Sequence, residues 1–341
     1  MPEQLITTGH SIQYMDSRKS WPVHDNSVDL IITSPPYPMI EMWDPLFTTL
    51  NSKINIEENT AFELMHQELD KVWNECYRVL KEGGFACLNI GDTVRTINKL
   101  FKLYPNHARV LSSCMNIGFN ILPMIFWRKQ TNAPNKFMGS GTLPVGAYVT
   151  LENEFILVFR KGDKRPFKTS EEKLERKQSA FFWEERNKWF SDVWDFKGTK
   201  QALIHKGLSR SAAFPFELPY RLVNMYSLKG DVVLDPFLGT GTTTLAALAS
   251  GRHSIGIEQN INYHDIIVER ILHNKDLINK LVIKRLADHI EFVNTHETDN
   301  FKYLNKSYDF PVKTQQETEL FFNNIKDVAQ TSNNTFNVSY N

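Results

Sequence analysis

Short apolar runs alternate with amphipathic stretches along this chain. Candidate strands fall at residues 28–33, 85–90, 120–127, 154–159, 231–234 and 254–258. Between the first two, AFELMHQELDKVWNECYRVLKEGG sets Phe62, Met65, Leu69, Val72, Cys76 and Val79 at three- and four-residue steps. That is the period of a helix with one apolar face, and the closing glycines are its expected stop. Strands alternating with helices predict an α/β protein whose sheet is mostly parallel. Residues 131–146, TNAPNKFMGSGTLPVG, have proline and glycine punctuation without a period, which predicts an exposed loop. Residues 282–341 read as an extension with weak signals, closed by AQTSNNTFNVSYN, a polar stretch expected to be a disordered tail.

Composition narrows the class only slightly. A chain of 341 residues with 41% hydrophobic and 23% charged residues can bury a full-sized core. The first twenty residues lack the sustained apolar core of a signal peptide, and no run of 18 apolar residues follows, so a cytoplasmic protein without a membrane span is expected. Cys76, Cys87 and Cys114 have no metal-type or disulfide-type spacing and are expected to be reduced core residues; no metal is expected.

Net charge is zero, but its distribution is uneven. Residues 160–210 hold 14 Lys or Arg against 8 Asp or Glu. Phe167, Phe181, Phe182, Trp183, Trp189, Phe190, Trp194 and Phe196 are interleaved with them. Basic and aromatic residues together suit a nucleic-acid surface. A small helical subdomain with a solvated charged face fits the same composition, and both readings stand.

Two stretches carry chemistry. In GDVVLDPFLGTGTTTLAALASGRHSIGIEQN, residues 230–260, a strand ends in Asp235, Gly239 and Gly241 form a turn, a helix follows, and the next strand ends in Glu258. Glycines at a strand-to-helix turn let the backbone approach a ligand, and a carboxylate at the next strand end can accept from ribose hydroxyls. This predicts a nucleoside-cofactor site. ATP is disfavoured because Gly241-Thr242-Thr243 has no lysine where a phosphate-cradling loop requires one, and a dinucleotide is disfavoured by Thr244 in place of a third glycine. The second stretch, LIITSPPYPMIEMWD at residues 30–44, puts two prolines and a tyrosine after an apolar run.

Together, Asp235-Pro236-Phe237-Leu238-Gly239-Thr240-Gly241 and Thr33-Ser34-Pro35-Pro36-Tyr37 resemble the amino-methyltransferases of DNA, with their DPFxGxGTT and (S/N/D)PP(Y/F) motifs. With the tetrapeptide first and the cofactor loop last, the order resembles the beta group of that family. RSAAFPFELPYRLV at 210–223 is similar to its cofactor-binding helix, and ENEFILVFRKG at 152–162 to its strand before target recognition. The resemblance implies a circularly permuted, Rossmann-like fold that binds S-adenosyl-L-methionine. It places a catalytic half at 1–160, a target-recognition insert at 161–210, a cofactor half at 211–281 and an extension at 282–341. The implied cofactor residues are Phe214, Asp235, Pro236, Phe237, Gly239, Gly241, Thr242 and Glu258. Near the N-terminus such proteins often read Gly-Asp-Ser, whose carboxylate accepts from the cofactor's adenine. This chain has Gly9-His10-Ser11, so His10 and Ser11 are the candidates there.

The implied catalytic residues are Ser34, Pro35, Pro36 and Tyr37. An exocyclic amino group is a weak nucleophile because its lone pair is delocalised into the ring. If the Ser34 oxygen and the Pro35 carbonyl accept its two N–H bonds, the nitrogen is held toward tetrahedral geometry and its lone pair can face a methyl donor. The prolines fix the backbone without leaving an unpaired N–H. Tyr37 would stack on a base flipped out of the duplex.

Serine at the first position is associated in the family with N4 of cytosine, so that is the expected target, with N6 of adenine as the alternative. Carbon-5 methylation is rejected because no cysteine follows a proline. The implied partner is double-stranded DNA, and the implied setting a restriction–modification system, with a restriction endonuclease as a functional partner and the enzyme itself a monomer or homodimer. Methylation of RNA or protein, or a catalytically dead DNA-binding module, are the rival classes.

Overall fold

A computed structural model describes residues 7–129, 138–198, 214–297 and 301–341. Ten strands form one sheet: β1 (Thr7–Tyr14), β2 (Val28–Thr33), β3 (Leu80–Ile90), β4 (Phe119–Arg128), β5 (Asn153–Lys161), β6 (Val193–Asp195), β7 (Val232–Asp235), β8 (His253–Glu258), β9 (Ile325–Ser332) and β10 (Thr335–Tyr340). Their spatial order is β6-β4-β5-β3-β2-β7-β8-β1-β10-β9. The central five, β3, β2, β7, β8 and β1, are parallel, while β5 runs antiparallel beside β3 and β10 antiparallel beside β1.

Helices cover both faces. On one side lie α1 (Asp44–Leu50), α2 (Ala61–Val79) and α3 (Asn106–Ile117). After α4 (Ser170–Gln178) and α5 (Trp183–Trp189), the other side is built by α6 (Glu217–Tyr226), α7 (Thr242–Ala249) and α8 (His264–His273), with α9 (Lys275–Asn294) beyond. Covering on both faces explains why VDLIIT in β2 is a continuous buried run rather than an alternating one. All six strands expected from the apolar runs are present. Helix α2 stops at Val79, ahead of the glycines expected to end it, because Leu80 already enters β3 and Gly83 and Gly84 lie within that strand.

One expectation is corrected. The C-terminal stretch is no disordered tail: β9 and β10 form a hairpin that pairs with β1, burying Phe336, Val338 and Tyr340. Their alternation with polar residues is the period of a half-buried strand.

Where it is described, the basic-aromatic segment packs in part as a small helical unit against α9, the second of the two readings its composition allowed, while Trp183 and Phe190 stay exposed. Phe182, Trp189 and Trp194 are buried, Phe182 stacks on His289 of α9 with ring centroids 3.9 Å apart, and Arg285 of α9 pairs with Glu185 at 2.6 Å. Topology gives the reason. Strand β5 runs from the C-terminal edge of the parallel strands to the opposite edge, where Arg165 meets Asp231 at 2.8 Å just before β7 begins. Helices α4 and α5 follow from there, and only β6, parallel to β4, brings the chain back, with Asp195 opposite Arg128. Residues 199–210 of the expected insert lie outside the described residues, as do 131–137 of the expected loop 131–146; its residues Met138 and Gly139 pair with Tyr148 and Ala147, just beyond it, as a short hairpin.

Candidate active site

The C-terminal ends of the parallel strands form one edge, and both motifs meet there. Strands β2 and β7 are neighbours, so Thr33 and Asp235, 202 residues apart in sequence, are joined by a 2.7 Å hydrogen bond from the threonine hydroxyl to the carboxylate. The same carboxylate accepts from the Phe237 N–H at 3.0 Å and from the Thr243 hydroxyl at 2.6 Å. Burial, partly offset by these three donors, raises its pKa to about 6. Asp235 does not line the cavity described below; it ties the tetrapeptide's strand to the glycine turn and to the first turn of α7.

The turn itself needs its glycines for backbone reasons. Gly239 has φ +57° and Gly241 φ +82°, a region that side chains with a Cβ rarely adopt. Glu258, at the end of β8, accepts the Gly239 N–H and the Asn260 N–H, each at 2.8 Å. The Arg270 guanidinium of α8 donates to the Thr240 carbonyl at 2.6 Å and closes the turn from behind.

A cavity of about 670 Å³ opens beside this turn. Its walls include Phe214, Pro236, Phe237, Gly239, Thr242 and Glu258 from the cofactor half and Ser34, Pro35, Pro36 and Tyr37 from the tetrapeptide. The volume lies within the usual range for cofactor sites, and mixed apolar walls with a few aimed polar groups are their usual character. A carboxylate that already holds the turn can accept further bonds from ribose hydroxyls, so the residues fit a nucleoside cofactor.

Ser34 and Tyr37 belong to a hydrogen-bonded cluster. The hydroxyl oxygens of Ser34 and Tyr37 are 3.0 Å apart, and Tyr37 donates to Glu154 at 3.0 Å. Asn89 of β3 donates to Tyr37 at 2.9 Å and to Glu154 at 2.6 Å, and Lys129 pairs with the other carboxylate oxygen. Burial, and then the Glu154 charge, push the Tyr37 pKa well above its ordinary value, so the phenol keeps its proton.

Of the residues expected at the cofactor, His10 and Ser11 are misplaced. Neither lines the cavity. His10 is buried in mid-β1, with one ring nitrogen 2.9 Å from Thr8 Oγ1 and the other 2.8 Å from Ser254 Oγ. Burial, with His253 nearby, lowers its pKa to about 3, so it is neutral. Gly241, like Asp235, shapes the turn without reaching the cavity wall.

Sequence reasoning missed Asp16 and Ser17, which do line the cavity just after β1. Ser17 donates to the Pro236 carbonyl at 2.5 Å, and Arg18 holds Asp16 at 2.7 Å and Glu68 of α2 at 2.6 Å. The signal was the Asp16-Ser17 dipeptide, six residues beyond the position where an Asp-Ser pair was sought. Among the described residues no cluster could hold a metal ion, and no helix is long and apolar enough to cross a membrane.

A family profile for N6/N4 DNA methylases matches residues 28–269. The Type II methyltransferase M.MthZI of Methanothermobacter thermautotrophicus is 50% identical over 343 residues, covering 98% of this chain and 96% of that protein. M.MjaI of Methanocaldococcus jannaschii, also a Type II methyltransferase, is 50% identical over 283 residues, covering 78% and 92%. Among solved structures, a putative DNA modification methylase of Thermus thermophilus in complex with S-adenosyl-L-methionine superposes with a TM-score of 0.60 at 32% identity, covering 76% of this chain and 94% of that one.

Proposed function

The chain belongs to the N6/N4 DNA methylases and uses S-adenosyl-L-methionine, and from that premise we propose that it is a Type II enzyme methylating N4 of a flipped-out cytosine in duplex DNA. The observation that carries this reading is Ser34, held at the cavity wall beside the glycine turn. Its hydroxyl and the Pro35 carbonyl are the acceptors for the target amino group. Tyr37, hydroxyl anchored, offers its ring to the base; stacking of about 1–3 kcal/mol would offset part of the few kcal/mol that flipping costs.

The cofactor, when bound, supplies an electrophilic methyl group on a positively charged sulfur. Phe214, Pro236, Phe237, Gly239, Thr242 and Glu258 would hold it, with Asp16 and Ser17 taking the place expected for His10 and Ser11. Ser34 and the Pro35 carbonyl then stabilise the positive charge that develops on the amino nitrogen. Serine at this position favours cytosine N4 over adenine N6 by association within the family. By analogy with the Type II relatives, the biological partner is a restriction endonuclease of the same specificity.

DNA is proposed to lie over the cavity edge, where the chain leaves β4 at Lys129 and β6 at Lys197; α4 and α5 are on the far edge. The test is incubation of the purified protein with plasmid DNA and methyl-labelled cofactor, followed by mass spectrometry of the nucleosides. N4-methylcytosine is expected, and Ser34→Ala should cut its formation about 10²-fold with cofactor affinity retained. N6-methyladenine would overturn the choice of base, and an unchanged rate in Ser34→Ala would overturn the assignment of the site.

A further inference from the structure

We propose that Glu154 is a positioning residue for methyl transfer: it fixes the direction of the Tyr37–Ser34 hydrogen-bond chain, so that Ser34 faces the target as an acceptor only. The inference rests on the role just given to Ser34.

Glu154 is the second residue of β5, and because β5 runs antiparallel to β3 its start lies at the same edge as the tetrapeptide. Asn89 and Lys129 converge on it, from β3 and from the residue after β4. A carboxylate can only accept. The Tyr37 proton therefore points at Glu154, 3.0 Å away, rather than at Ser34. Asn89 has two amide hydrogens and gives one to Glu154 and one to the Tyr37 oxygen, leaving its own buried carbonyl without a protein partner among the described residues.

With its proton committed and one acceptor position filled by Asn89, the Tyr37 oxygen can make one more contact only as an acceptor. The remaining neighbour is Ser34 at 3.0 Å, so the serine must donate to tyrosine. Its proton is turned away from the cavity and its lone pairs are turned toward it. An amino group presents two N–H donors and satisfies that arrangement. A ring carbonyl at the same position, as in uracil or thymine, presents acceptors and meets repulsion instead. The chain from Glu154 to Ser34 thus selects for an amino-bearing base and pre-orients the acceptor that polarises it.

Glutamine at 154 should reverse the chain. Lys129 would hold the amide carbonyl, so the NH2 would face both Tyr37 and Asn89 and neither could donate to it; the phenol, its acceptor lost, would then donate to Ser34, and Ser34 would present a donor to the cavity. Single-turnover methyl transfer to plasmid DNA at saturating cofactor reads the effect, with cofactor affinity measured in parallel. Glu154→Gln should lower the rate about 10²-fold with cofactor affinity unchanged. In a Ser34→Ala background the same substitution should change the rate by no more than about threefold, because no hydroxyl remains to be oriented. Tyr37→Phe, which keeps the ring and cuts the chain, should likewise make the rate insensitive to Glu154→Gln.

An equal loss from Glu154→Gln in all three backgrounds would mean a general structural role and overturn the proposal, as would no loss in the otherwise unmodified protein. Failure of the underlying reading looks different: no labelled DNA from the unmodified protein, or Ser34→Ala as fast as the unmodified protein.

Discussion

Asp235 joins the two motifs, and replacing it with asparagine isolates what its charge does. The carboxylate is buried and has three donors, yet burial still raises its pKa from 3.8 to about 6. A shift of two units corresponds to about 3 kcal/mol. Since the folded-state value is the higher one, the folded protein binds the proton more tightly than the unfolded chain. The stabilisation is fully present below about pH 4 and is lost as pH rises through about 6. Asparagine keeps the shape: its oxygen can accept from Thr33 and Phe237 while its NH2 donates to Thr243, whose hydroxyl can turn. Stability should be measured by denaturant titration between pH 4 and 7 for both proteins. Other groups that shift on folding are common to both and cancel in the difference. The wild type should gain about 2.4 kcal/mol of that limit relative to Asp235→Asn on going from pH 7 to pH 4. A difference that stays constant with pH, or runs the other way, would show that the folded state does not raise this carboxyl.

Two further outcomes follow from packing. A Cβ on Gly256 of β8 would lie under 3.0 Å from three side-chain carbons of Leu238, a residue of the glycine turn. Gly256→Ala should therefore cost about 1–3 kcal/mol and weaken cofactor binding, read as Tm and Kd; unchanged values of both would show that Leu238 repacks freely. Removal of residues 325–341 should strip β1 of its outer partner and expose Thr8 and His10, giving an aggregating product on size-exclusion chromatography; a soluble monomer with the full-length Tm would contradict the hairpin's structural role.

The six apolar strands and α2 were legible because burial on both faces writes itself as hydrophobic runs and a three-to-four-residue period. The pairing of DPF with TSPPY was legible only as a resemblance, since nothing local says that β2 and β7 are neighbours. Strand β1 was invisible for a physical reason: its inward positions are Thr8, His10 and Ile12, and two of the three satisfy the core through hydrogen bonds rather than apolar surface. Missing β1 put the candidates His10 and Ser11 within the strand, whereas the residues that line the cavity, Asp16 and Ser17, come just after it. In the tail, alternating Phe336, Val338 and Tyr340 did signal a strand, but polar composition outweighed the period. The two readings of 160–198 could not be separated because composition does not report which edge of a sheet a segment reaches; the antiparallel direction of β5 decides that.

The position of β1 also shapes how the protein must come off the ribosome. Its inner partner is β8 and its outer partner β10, so paired residues such as His10 and Ser254 are 244 positions apart. At about 5–20 residues per second, the strand waits roughly 12–50 s for its first ladder. A strand rich in valine and leucine, with both edges open for that long, would be an invitation to other nascent chains. TTGHSIQY, with Ile12 as its one strongly apolar inward residue, waits safely. The polarity that hid β1 from a hydrophobicity scan is what lets an early-made strand remain soluble until its late-made partners arrive.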